Sequence, residues 1–145
     1  MPLIELQNDH DAIREEVDLL RTATEQVGLE TNRNLLSQFN HLERAFRQHC
    51  IKEEHVLFPL LHRYLDAHVC EEVGLEHEEI RRLIRRAANQ ISHNENSSIP
   101  QLNLLLRKHF SKEENVLFWY LSLRLASEET AAASFQRGSL RLPGT

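Results

Sequence analysis

The sequence predicts an all-α protein, an antiparallel four-helix bundle in up-down-up-down order. Three observations predict it. Apolar residues recur by steps of three and four along four long segments. Short stretches bearing Gly, Asp or Asn and Ser separate those segments. Gly and Pro number four each and aromatic residues make up only 6% of the chain, a balance that favours helix over sheet.

The first apolar stripe runs Leu3, Leu6, His10, Ile13, Val17, Leu20, Thr24, Val27, with Gly28 as its C-cap and Thr31-Asn32 as a fresh start. The second runs Leu35, Phe39, Leu42, Phe46, His49, Glu53, Val56, Leu60, Tyr64. Pro59 lies inside it and should kink the helix or split off its last turns. A turn at Asp66-Ala67-His68 leads to the third stripe: Cys70, Val73, His77, Ile80, Ile84, Ala87, Ile91. SHNENSS, from Ser92 to Ser98, reads as a polar loop, and Pro100 suits the first turn of the next helix. The fourth stripe is Leu102, Leu105, His109, Glu113, Val116, Tyr120, Leu123. Residues 1–127 are expected to form the bundle. Residues 128–145 are expected to form a C-terminal extension, a short helix to Gln136 and then a mobile tail. Short connections make consecutive helices antiparallel neighbours.

Composition narrows the function. At 145 residues the chain is one ordinary domain. Its net charge of −5 argues against nucleic acid as a partner, because phosphate binding needs a concentrated basic face. Arg81, Arg82, Arg85 and Arg86 are the nearest approach to one, and with Glu76, Glu78 and Glu79 upstream they read as a solvated helix face. Two cysteines, Cys50 and Cys70, make no disulfide framework, so a reducing compartment, the cytoplasm, is expected. The start MPLIELQNDHD lacks a basic region followed by an apolar run, so no signal peptide is expected. No uninterrupted apolar run approaches the roughly 18 residues of a membrane span, so no membrane partner is expected either. A homodimer stays open.

The unusual feature is where the polar residues sit. His10, His49, Glu53, His77, His109 and Glu113 all lie on apolar seams. An unpaired carboxylate or imidazole in a bundle interior costs several kcal/mol, on the order of the whole margin of stability. The six also repeat. HCIKEEHVLF at His49 and HFSKEENVLF at His109 are identical at seven of ten positions, and DHDAIREE at Asp9 echoes EHEEIRRL at Glu76. The chain reads as two copies of a His helix followed by a His-x3-Glu helix.

Residues at equal height in an antiparallel hairpin are equidistant from its turn. His10 and residue 51, midway between His49 and Glu53, have their midpoint at 30.5, residue 51 and His77 at 64, and His77 and residue 111, midway between His109 and Glu113, at 94. Each midpoint falls at or beside a turn placed independently, so the six share one layer. His and Glu at i and i+4 project from one helix face, about 5.4 Å apart along the axis. A carboxylate so placed can bridge to a second cation while the imidazole binds the first. Imidazole with carboxylate and no thiolate suits iron, with manganese or zinc behind it.

These motifs resemble the hemerythrin-like, or HHE cation-binding, family over roughly residues 3 to 125, with HCIKEEHVLFP the most specific stretch. The resemblance implies two iron ions. His10 and His49 would bind one, His77 and His109 the other, with Glu53 and Glu113 bridging and an oxo or hydroxo bridge completing the pair. Family members bind O2, sense oxygen or iron, respond to nitric oxide, or destroy peroxide. Oxygen-carrying members have a second third-helix histidine where this chain has Arg81, and an Asp at a five-residue spacing where this chain has Glu113 at four. These departures favour redox chemistry or sensing over reversible O2 carriage. A peroxide- or nitric-oxide-consuming enzyme, and an interaction bundle with a structural metal site, are the alternatives.

Other conspicuous residues have plainer readings. His41, His55, His62, His68 and His93 fall off the seams and read as surface residues, as do Lys52, Lys112, Glu54 and Glu114. Cys50 reads as a small buried side chain, Tyr120 as core, and Phe118 and Trp119 as core or interface. Phe39, Phe46, Phe58 and Phe110 read as packing around the site.

Overall fold

A computed structural model describes residues 2–25, 32–93, 95 and 97–141. Helix α1 spans Pro2–Glu25, α2 Asn32–Tyr64, α3 Ala67–Ser92 and α4 Ile99–Lys112. A π-helical turn, Glu113–Phe118, follows α4 directly and leads into α5, Trp119–Arg141. The backbone keeps right-handed helical angles at Lys112, Glu113 and Trp119, so α4, the π turn and α5 form one rod. The fold is the all-α bundle that the periodicity predicts. α1 packs on α2 and α4, and α3 packs on α2 and α4, which closes the ring of four. Among the described residues no helix is long and apolar enough to cross a membrane.

The turns fall where the sequence places them. Asp66 caps α3, accepting a hydrogen bond from the His68 backbone N–H at 3.1 Å. α3 ends at Ser92, and Pro100 sits in the first turn of α4, where its missing N–H costs nothing. The expected C-cap at Gly28 and start at Thr31 lie outside the described residues. Pro59 does not split α2, which stays helical to Tyr64. The helix expected over 128–136 is part of α5 and continues to Arg141, while residues 142–145 lie outside the described ones.

Two apolar clusters fill the bundle. One gathers Ile13, Val17, Leu20, Phe39, Phe46, Ile84, Leu102 and Phe110 among others. The second gathers Leu3, Leu6, Leu57, Leu61, Val73, Leu117, Phe118 and Leu121. Along every helix the polar seam residues fall between the two clusters. The layer is therefore closed by hydrocarbon above and below.

Three stretches of the stripes need correction. Leu106, not Leu105, is buried in α4. Beyond Glu53 the buried residues are Leu57 and Leu61, not Val56, Leu60 and Tyr64, which are only partly covered. Beyond Glu113 they are Leu117, Phe118 and Leu121, while Val116 and Leu123 are 56% and 52% exposed. Both helices advance by consecutive steps of four past the layer, and each such step rotates the stripe by about 40° on a 3.6-residue helix. In the last helix the wide π turn absorbs that rotation. Periodicity cannot choose among three adjacent apolar residues, and LLL, VLF and VLF offer three each.

Candidate metal centre

Each helix of the ring delivers its seam residues to the same height. His10 comes from α1, His49 and Glu53 from α2, His77 from α3, His109 from the last turn of α4 and Glu113 from the start of the π turn. All six are buried. Their side-chain atoms form two groups, His10-His49-Glu53-Glu113 and Glu53-His77-His109-Glu113. Within each group one atom per residue lies within 4.8 Å of the others, so each group can hold a metal ion. The groups share both carboxylates. The structure thus brings together all six residues singled out by the sequence.

The interior of this layer is rich in lone pairs. His10 Nε2 lies 3.2 Å from Glu53 Oε1 and 3.5 Å from Glu113 Oε1. His77 Nε2 lies 3.0 Å from Glu53 Oε2, and His109 Nε2 lies 2.6 Å from Glu113 Oε1. His49 Nε2 meets Glu53 Oε1 as well. Yet His49 Nε2, His77 Nε2, His109 Nε2, Glu53 Oε2 and both Glu113 oxygens are buried without a well-formed hydrogen bond. Leaving such atoms unpaired costs about 1–3 kcal/mol each, more for charged groups. Cations placed among them would satisfy all of them at once.

The outer nitrogens explain why the inner ones face inward as acceptors. His10 Nδ1 donates to Glu114 Oε2 at 2.7 Å, His49 Nδ1 to Asp9 Oδ2 at 3.1 Å, and His109 Nδ1 to Glu76 Oε2 at 2.6 Å. Each carboxylate in turn meets a cation: Arg14 on Glu114 at 2.5 Å, Lys52 on Asp9 at 3.1 Å and Lys112 on Glu76 at 2.9 Å. Burial lowers the pKa of His10 and so favours its neutral form. A neutral imidazole has one N–H, and with that N–H given to Glu114 its Nε2 offers a lone pair inward. Carboxylate-backed histidines of this kind are the usual surroundings of metal-binding imidazoles.

The two inner carboxylates are driven apart. Burial raises Glu53, but the His10, His49 and His77 imidazoles gathered at its oxygens outweigh it and hold the group well below the usual carboxylate range. Burial and then the charge of Glu53 push Glu113 well above that range. Two adjacent buried carboxylates cannot both ionise without a compensating cation.

Several plainer readings need revision. Glu114 is not solvated: its side chain is 16% exposed and its oxygen is shared by His10 and Arg14. Lys52 is exposed, as read, and Lys112 is half-buried, and the two complete the Asp9 and Glu76 pairs. The sequence reading gave Asp9 and Arg14 no role and took Glu76 only as part of a solvated helix face. The signal was present: an acid precedes the histidine on both α1 and α3, and a lysine follows the histidine by three on both partner helices. Glu54 and the five off-seam histidines are exposed, as read. Phe110 stacks on His10 with ring centres 4.0 Å apart, Phe118 does so at 5.4 Å, and Phe58 stacks on His77 at 6.3 Å. Phe46 meets His77 edge-on at 5.8 Å, whereas Trp119 is 61% exposed. Cys50 is buried beside His49, and burial, with the charges of Glu53 and Glu113, pushes its thiol up and keeps it protonated.

A family model described as the hemerythrin HHE cation binding domain matches residues 1–121. No curated protein and no solved structure gives a significant match.

Proposed function

Because the chain belongs to the hemerythrin HHE cation-binding domain family, we propose that it is a non-haem di-iron protein that binds or reacts with O2, nitric oxide or peroxide, in sensing or redox defence. The observation that carries this reading is the pair of four-residue groups sharing Glu53 and Glu113. Two imidazoles and two shared carboxylates per group make a nitrogen-and-oxygen donor set suited to iron, ahead of manganese or zinc. His10 and His49 would hold one ion, His77 and His109 the other, and the two carboxylates would bridge them.

When bound, iron would supply open coordination positions and one-electron redox chemistry. The residues supply the rest. Asp9, Glu76 and Glu114 fix the ring orientation of three histidines through their Nδ1 nitrogens. Phe46, Phe58, Phe110 and Phe118 keep bulk water from the layer. With Arg81 on the third helix adding no imidazole, neither ion would be saturated by protein ligands, which favours reaction with a small ligand over reversible O2 carriage. Two buried unpaired thiols suit a reducing compartment such as the cytoplasm.

The test is elemental analysis and an optical spectrum of protein purified in air. The expected result is two irons per chain, with a visible absorption that is lost in His49→Ala. Colourless, iron-free protein would defeat the proposal. Peroxide consumption per bound iron, compared with free iron, separates an enzyme from a sensor.

A further inference from the structure

The chain repeats in sequence, so the surroundings of its four inward histidines should repeat as well. They do so at three of the four. His49 is backed by Asp9 and Lys52, and His109 by Glu76 and Lys112 in the matching positions of the second copy. His10 is backed by Glu114 and Arg14. The matching chain in the other half would run from His77 to Glu54 to Arg81. Glu54 holds in HCIKEEHVLF the place of Glu114 in HFSKEENVLF, and Arg81 follows His77 by four as Arg14 follows His10.

That fourth chain is not formed. The Glu54 side chain is exposed. Arg81 Nε is buried without a hydrogen-bond partner. Among the described residues the ion pair of His77 is with Glu53, through Nε2, and no described hydrogen bond uses its Nδ1. The backbone supplies the reason. Glu114 lies within the π turn Glu113–Phe118, whereas Glu54 lies in unbroken α-helix. The wider turn carries Glu114 round towards α1, while the regular helix leaves Glu54 facing outward.

We propose that the two halves of the site are unequal: the His10–His49 group takes the first ion, and the His77–His109 group takes the second more weakly. The inference rests on the two-ion reading above. Both imidazoles of the first group have their orientation fixed and their basicity raised by a carboxylate, but only one imidazole of the second group does. Losing one such partner weakens metal binding by about 10- to 100-fold. Glu114 is thus a positioning residue that sets the order of loading, and the π turn is the device that makes a duplicated site asymmetric.

Repulsion between two ions would give two binding steps even in a symmetric site, so the test must identify the halves. Co(II) is titrated into metal-free protein under chelator competition and followed by its visible absorption. The single ion left in His77→Ala should bind with the affinity of the first step in the unaltered protein. The single ion left in His10→Ala should bind about 10- to 100-fold more weakly. Glu114→Gln should weaken the first step by a similar factor, and Glu54→Gln should change neither. Equal affinities in His10→Ala and His77→Ala, or an indifferent Glu114→Gln, would overturn the inference while leaving the two-ion reading intact. Unaltered protein that takes up no cobalt would end both. A second readout needs no variant. With one equivalent of Co(II), two imidazole N–H resonances shifted by the metal should resist exchange in heavy water. A single resistant resonance would place the first ion in the other half and refute the order.

Discussion

Glu76 accepts the Nδ1–H of His109 at 2.6 Å, on the same helix that carries His77 one residue later. Asp9 and His49 repeat the relationship, with His10 one residue beyond Asp9. One dipeptide on each of two helices therefore both contributes an inward imidazole and orients the imidazole of its neighbour. Removing the acceptor leaves every inner group in place, so Glu76→Ala should keep two metals at saturation but weaken binding about 10- to 100-fold. Chelator competition measures this. Unchanged affinity would show that the contact orients nothing.

The shared carboxylates predict unequal losses from single substitutions. Glu53 belongs to both groups and His77 to one. Glu53→Ala should abolish most metal binding, whereas His77→Ala should keep about one ion per chain. Metal content after desalting decides between this and a site in which every residue counts alike.

The opposed carboxylates predict a pH dependence. Glu113 has a folded pKa raised well above its ordinary 4.5. The sign follows from proton linkage: an acid with a raised folded pKa carries no penalty below its unfolded pKa and destabilises the fold as pH rises through the folded one. In metal-free protein, Glu113→Gln should therefore be more stable than the parent above pH 4.5, by on the order of 1–3 kcal/mol, and no more stable below it. Urea unfolding across pH reports the difference. Because both carboxylates must ionise to take up metal, binding should release protons and tighten as pH rises. Calorimetry in buffers of different ionisation enthalpy counts them.

Glu76 behaves in the opposite sense. Burial raises its pKa, but hydrogen bonds from His109 and Lys112 outweigh this and hold it at about 2. Its contribution to stability is therefore present above its ordinary 4.5 and lost as pH falls towards 2. Lys112→Met should shrink that acid-side loss. An unchanged acid limb of the unfolding curve would remove Lys112 from the network.

Phe110 is fully buried and lies against His10. Phe110→Ala should cost about 3–5 kcal/mol through lost contacts and a cavity, and should admit water to the layer. Phe110→Leu should recover most of the stability. The exposed Trp119→Ala should stay within about 0.5 kcal/mol in the same urea titration.

Local periodicity determined a great deal here. A repeat near 3.6 residues places side chains on a face whatever the partner helix is, so the four helices, the turn at Asp66 and the common height of His10, His49, Glu53, His77, His109 and Glu113 could be read from the chain. Equal distances from the turns placed the layer before any packing was known. Tertiary structure decided what depends on reach between helices. It chose Leu57 over Val56 and Leu117 over Val116, because three adjacent apolar side chains offer a helix several faces and only its neighbours select one. It joined Asp9 to His49, Glu76 to His109 and Glu114 to His10, pairings set by side-chain geometry across 3 Å rather than by spacing along the chain. It also broke the symmetry that the repeat implies, since a π turn in one copy and an α-helix in the other aim Glu114 and Glu54 in different directions.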